Sequence, residues 1–197
     1  MPAPINPVET DMVSSWHLKR ASSVVRNGGI IAYPTEAVYG LGCDPLNAET
    51  VLRLLELKQR DPDKGLILIA SNMGQLQPYL APLAANVLRK VKATWPGPVT
   101  WLLPARPETP WWIRGRHETI AVRVTAHPLA SALCEAVGHA LVSTSANISN
   151  RPPARNPLSV QRIFGDEAGY IVHGDTGGLR KPTEIRDAVG GWTVRKG

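Results

Sequence analysis

Strand-length apolar runs alternate along this chain with stretches of helical periodicity, and that alternation restricts the fold more than any single motif. "GLILIA" (65–70), "IAVRV" (120–124) and "ALVST" (140–144) are short, largely apolar runs of the kind found in strands covered on both faces. Between such runs, residues 14–27 set Leu18, Ala21, Val24 and Val25 on one helical face and stop at Gly28-Gly29. "NAETVLRLLELKQR" (47–60) joins an Asn47 N-cap to a stripe of Val51, Leu54, Leu55 and Leu57, which puts Lys58 and Arg60 at an exposed helix end. Further helices are expected over 73–80, 83–94, 127–138 and 157–164, and further strands over 30–33, 99–105, 119–125, 170–173 and 192–195. The spacings are irregular and several strands are joined by short turns. A mixed, twisted sheet flanked by helices follows, a three-layer α+β or α/β domain. With 43% hydrophobic content in 197 residues the chain can build one core, expected over 13–197, with a flexible Pro-rich segment over 1–12. "PARPETPWWIRGRHE" (104–118) reads as a long exposed loop, placed by its tryptophans to cover a cleft.

Several classes of function drop out at this level. The longest apolar runs are far below the roughly 20 residues that span a bilayer. The start, "MPAPINPVETDMVSS", lacks the basic and apolar segments of a signal peptide, so a cytoplasmic protein without a membrane partner is expected. Cys43 and Cys134 share no ligand or redox spacing and read as buried or idle thiols; no metal site is expected. The P-loop pattern is absent, and in "GLGCDP" Pro45 occupies the place of the third glycine of a dinucleotide fingerprint. The GxSxG, HExxH and SxxK patterns are absent too. A net charge of +6 favours anionic partners, with nucleotide phosphates and RNA both admissible. The cations are scattered in knots (Lys58, Arg60 and Lys64; Arg89, Lys90 and Lys92; Arg114 and Arg116), most of which read as solvated faces.

Polar residues gather where strands end. In "YPTEAVYGLGCD" (33–44) Pro34 closes a strand and a bend follows, bearing Thr35, Glu36, Gly40 and Gly42. Arg123 lies inside an apolar strand on the face of Ala121 and Thr125, where a charge requires an anion, supplied either by a ligand or by an internal Asp or Glu. "STSAN" (143–147) offers hydroxyls and an amide at a strand end, suited to a cap, to a ligand, or to both.

Four segments, "YPTEAVYGLGCD", "LKQRDPDKGLILIA" (57–70), "WPGPVTWLLPA" with "IAVRVTAHPLA" (95–130), and "LVSTSANISNRPPA" (141–154), occur in an order that closely resembles the YrdC family in its short, single-domain bacterial form. The likeness runs from about residue 14 to the end of the chain and includes "KPTEIRD" and "TVRKG". It implies a YrdC-like fold with a concave basic cleft. It also implies a nucleotidyltransferase that joins L-threonine, bicarbonate or CO2 and ATP into threonylcarbamoyl-AMP with release of diphosphate, for modification of tRNA beside the anticodon. By the same resemblance Lys58 and Arg60, the K-x-R pair, contact the ATP phosphates and serve catalysis. Thr35, Arg123, Ser143 and Thr183 bind threonine, and Thr119, Ser145, Asn147 and Arg195 join the K-x-R pair at the nucleotide. Mg²⁺ is expected with ATP, and tRNA-modification proteins and RNA are the expected macromolecular partners. Where relatives often carry a threonine-contacting histidine in the strand after the K-x-R turn, this chain has Ile69. A double-stranded RNA-binding or ribosome-maturation protein is the competing expectation; it accounts for the charge but not for Arg123 or the hydroxyl cluster.

Overall fold

Along the first strand, β1 (Ile31–Pro34), side chains alternate between two separate apolar clusters, with Ala32 in one and Ile31 and Tyr33 in the other. The strand is therefore covered on both faces, as its unbroken apolar sequence requires. The structure is a computed structural model that describes residues 15–197; the flexible segment expected over 1–12 lies outside them. Before β1 comes α1 (Ser15–Arg26), and after it β2 (Tyr39–Gly42) returns antiparallel, with Tyr33 opposite Gly40 and Ile31 opposite Gly42. The glycine-bearing half of the expected bend is thus a strand. One of its glycines is required by contact: a Cβ on Gly42 would stand 2.5 Å from the Val142 carbonyl oxygen and 2.8 Å from the Tyr33 ring.

The chain continues through α2 (Ala48–Leu57), β3 (Ile67–Ala70), α3 (Ala85–Lys92) and β4 (Val99–Pro104). Then follow α4 (Trp111–Arg114), β5 (Thr119–Val124), α5 (Pro128–Val137), β6 (Leu141–Ser145), α6 (Pro157–Phe164), β7 (Tyr170–Ile171), β8 (Glu184–Asp187) and β9 (Thr193–Arg195). Asn47 caps α2, its side-chain oxygen accepting from the Thr50 amide at 3.0 Å. The stretch Met73–Tyr79 is a 3-10 helix, in keeping with Pro78 inside it, which has no amide proton to give. The strands form one mixed nine-stranded sheet in the order β7-β1-β2-β6-β3-β5-β4-β8-β9. Parallel pairs are β1 with β7, β3 with β5, and β4 with β8.

The stretch 104–118 is not a loose loop. Ile113, 0% exposed, anchors α4 in the core, and the Trp112 indole donates to the Pro45 carbonyl at 3.0 Å. Trp111 alone of the two tryptophans stays exposed. Among the described residues no helix is long and apolar enough to cross a membrane, and Cys43 and Cys134 are buried and unpaired.

One asymmetry positions the site. The first apolar cluster extends under the whole sheet, drawing on β4 and β5 through Val99, Trp101, Leu103, Ile120, Val122 and Val124. The second, to which α1 and α5 belong, stops at β3: it takes Ile69 and Leu141 but nothing from β4 or β5. On that face β5 presents Ala121 and Arg123, and β4 presents Leu102, to open space instead of to a helix.

Candidate functional site

The open half-face is the floor of a cavity of about 490 Å³, within the roughly 300–1,000 Å³ usual for small-molecule sites. Strand ends build it. The turn after β1 brings Thr35, the end of β6 brings Ser143 and Ser145 with Asn147 beyond, β5 brings Thr119 and Arg123, and the last hairpin brings Arg195, with Thr183 just before β8. Arg60 enters from the turn after α2. Nine of the ten site residues read from the sequence line this one cavity: Thr35, Arg60, Thr119, Arg123, Ser143, Ser145, Asn147, Thr183 and Arg195. Lys64, Arg114 and His117 line it as well, whereas among the described residues no Asp or Glu does.

Lys58 is the exception, and its expected place on an exposed helix end is wrong. It is 2% exposed and does not line the cavity. Its ammonium donates instead to the carbonyl oxygens of Ser145 and of Asn147, the latter at 2.6 Å. α2 closes with Gln59 at φ 50 in the left-handed region, and the segment Ser145–Ser149 returns over Lys58 and buries it. Burial first, and then the charge of Arg60, push the Lys58 ammonium down to about 8.

Arg123 has an internal partner. Its Nη2 lies 3.3 Å from Glu36 Oε2, and its Nη1 donates to the hydroxyls of Thr100 (2.9 Å) and Thr183 (3.0 Å). Glu36 Oε1 accepts from the Thr125 hydroxyl at 2.6 Å. Of the two anion sources open from sequence, the internal carboxylate is therefore present, and Nε is left buried without a partner. Thr183 carries the network outward: its carbonyl accepts from Arg195 Nη2 at 2.7 Å and Nε at 3.1 Å. Thr183 itself arrives on a strap after β7 whose Gly177 and Leu179 amides bond the carbonyls of Thr35 and Glu36.

Thr35 is buried, and its hydroxyl donates to the Val38 carbonyl at 2.8 Å, so toward a ligand it can only accept. The Ser145 hydroxyl donates to Asn147 Oδ1 at 2.5 Å, and Asn147 Nδ2 donates to the carbonyls of Ile148 and Arg151. Ile69 pairs with Arg123 across the β3–β5 register but is sealed into the second apolar cluster and does not reach the cavity.

Charge sets what this cavity can hold. Burial, then the fields of Arg123 and Arg60, lower the Arg195 pKa, and burial lowers that of Arg60. Glu36 offsets Arg123, but no carboxylate is among the described lining residues to offset Arg60 and Arg195, which repel one another until an anion enters. Polyanion binding beside a hydroxyl-rich strand end is the chemistry such a site supports. Lys64, Arg114 and His117 were missed in the sequence because cations near a turn read as solvated; only the paired tryptophans of 104–118 pointed to the cleft.

Residues 23–197 match the family model Sua5_yciO_yrdC, described as "Telomere recombination". The chain is 55% identical over 181 residues to a threonylcarbamoyl-AMP synthase of Nitrosococcus oceani, covering 92% of this chain and 98% of that protein. It is 54% identical over 181 residues to a protein of the same name from Halorhodospira halophila, covering 92% and 95%. Among solved structures, P. abyssi Sua5 complexed with L-threonine superposes with a TM-score of 0.82 at 32% identity, over 87% of this chain and 51% of that one. The chain thus spans about half of that longer relative.

Proposed function

The chain belongs to the Sua5/YciO/YrdC family, and from that premise we propose that it is a threonylcarbamoyl-AMP synthase, condensing L-threonine, bicarbonate or CO2 and ATP in the cavity on the open half of the sheet. The observation that carries this reading is the convergence of Arg60, Lys64, Arg114, Arg123 and Arg195 on one cavity that no carboxylate of the described residues lines. The relatives' shared name favours it over the RNA-binding alternative.

The chemistry asks for alignment and charge neutralisation. Threonine, its amine neutral, forms an N–C bond to CO2 and gives up one N–H proton to water or bicarbonate, leaving a carbamate. A carbamate oxygen forms a bond to the α-phosphorus of ATP, the bond from that phosphorus to the β-bridging oxygen breaks, and diphosphate leaves with the electron pair. A carbamate is already an anionic nucleophile, so no general base is needed at this step. Arg60 and Arg195 are assigned to the phosphates, where positive groups offset the charge on the leaving diphosphate. Ser145, Asn147 and Thr119 are assigned to the nucleotide, and Thr35, Ser143, Thr183 and Arg123 to threonine. In this assignment Arg123 turns its guanidinium toward the threonine carboxylate, while Glu36 and the two threonine hydroxyls fix the guanidinium plane. The Thr35 hydroxyl, an acceptor only, suits an N–H or O–H of threonine.

Mg²⁺ enters as part of the substrate MgATP. With no carboxylate among the described lining residues, the ion would be held by the nucleotide phosphates and water and not by the protein. Transfer of the activated carbamoyl group to tRNA needs further proteins, which are assigned here as partners of the product. The reading is tested by mass spectrometry of the protein incubated with MgATP, bicarbonate and each amino acid in turn. Threonylcarbamoyl-AMP should form with threonine, and its absence there would overturn the proposal.

A further inference from the structure

The segment after β6 is gripped by a residue 87 positions earlier in the chain. Lys58 holds it by both its main chain and its side chain. The Lys58 carbonyl accepts from the Ser149 amide and the Ser149 hydroxyl, each at 2.9 Å. Its ammonium donates to the carbonyl oxygens of Ser145 and Asn147 and stands 3.5 Å from Asn147 Oδ1. The residue is anchored in turn, because α2 ends on Leu54 and Leu55, which are sunk in the first apolar cluster.

The gripped segment needs such a hold. No regular element follows Ser145 until α6, and Asn150 adopts the left-handed φ of 64, so the path rests on hydrogen bonds together with Ala146, Ile148 and Ala154, which pack in or against the first apolar cluster. Carbonyl dipoles from Ser145 and Asn147 converge on one point with their negative ends together. Such an arrangement persists only around a positive multi-donor group, and Lys58 Nζ occupies that point. The side chains of the same segment, the Ser145 hydroxyl and the Asn147 amide, line the cavity, whereas Lys58 does not. Arg60 is the charged neighbour whose field reaches the ammonium, and Ser145, Asn147 and Ser149, which face it, are uncharged.

We propose that Lys58 is the positioning residue of this segment: it fixes the backbone from Ser145 to Ser149, and thereby sets the hydroxyl and amide presented to the nucleotide, without touching the nucleotide itself. The inference rests on the synthase reading for the identity of the ligand, and on the geometry alone for the grip.

A double-mutant cycle read by calorimetry with ATP separates positioning from direct phosphate contact. Lys58→Met should weaken ATP binding by about tenfold in the wild-type background. In a Ser145→Ala, Asn147→Ala background it should weaken binding by no more than about twofold, because the groups it sets are already gone. Arg60→Ala, a direct contact in this account, should keep its full effect in that background. Hydrogen exchange supplies the second readout: amides of 145–149 should lose protection in Lys58→Met and keep it in Arg60→Ala. Lys58→Arg, which retains charge and several donors, should restore part of the protection, and it runs through the same cycle if the Met variant does not fold. A full-sized Lys58 effect in the alanine background, with exchange unchanged, would overturn the proposal in favour of a phosphate ligand. Failure of the wild-type protein to bind ATP would instead count against the synthase reading, and the exchange comparison would still decide the grip.

Discussion

Arg123 Nη2 lies 3.3 Å from Glu36 Oε2, and at 4% and 6% exposure the two residues form a buried pair of which only Arg123 lines the cavity. Removing one member leaves the other charge buried without a partner. Arg123→Met should therefore destabilise the fold by roughly 3–5 kcal/mol, and adding Glu36→Gln should recover part of that loss. Urea denaturation of the two single variants and the double checks this. Additive losses would mean that the pair is not coupled.

Arg60 is half-buried and bonds one backbone oxygen, that of Gly65, at 2.9 Å. Arg60→Ala should weaken ATP binding by about 1.5–3 kcal/mol, the range for a hydrogen bond to a charged group, yet cost at most about 1.5 kcal/mol of stability. Calorimetry beside a denaturation curve separates the two effects. Unchanged ATP affinity would remove Arg60 from the phosphate site.

The charge on Lys58 should be felt by the nucleotide. With its pKa pushed down to about 8 in the empty protein, the ammonium is largely intact at neutral pH, and a bound nucleotide, which needs the gripped segment held in place, favours the charged form and raises that pKa. Binding is then strongest below pH 8 and weakens as pH rises through the raised value. Each pKa unit of that rise corresponds to about tenfold in affinity across the titration. Measured by equilibrium binding of ATP alone from pH 7 to 10, the wild-type affinity should fall and that of Lys58→Met should stay flat. A flat wild-type profile would contradict this coupling.

How far the sequence discloses this molecule depends on whether a residue's partners are near in the chain. Asn47, three residues from the amide it caps, and the helix over 157–164 are legible because their determinants are local. β2 is not, since "YGLG" has the composition of a bend and becomes a strand only through its pairing with β1 and β6. β8, "EIRD", is polar and hides for the same reason: its pairing with β4 defines it. At the site, Arg123 is conspicuous as a charge in an apolar strand, but its partner Glu36 is 87 positions away along the chain and nothing local selects it. Lys58 misleads more fully. A cation at a helix C-terminus reads as solvated, and only the return of β6 over the end of α2 buries it.

Gly42 gives a test of the sheet independent of the chemistry. A Cβ there would stand 2.5 Å from the Val142 carbonyl oxygen and 2.8 Å from the Tyr33 ring, against backbone and a buried aromatic that cannot give way. Gly42→Ala should cost about 1–3 kcal/mol by overpacking. A melting temperature equal to that of the wild type would show that β2 and β6 are not so closely apposed.

The central claim is that the open half of the sheet is a synthase site for threonine, bicarbonate and ATP, and diphosphate release tests it most directly. Purified protein supplied with MgATP should release diphosphate only when threonine and bicarbonate are both present. Serine should support the reaction less well, by the roughly 1–3 kcal/mol that one methyl group provides in an apolar contact. Diphosphate appearing equally without threonine, or never appearing, would contradict the account.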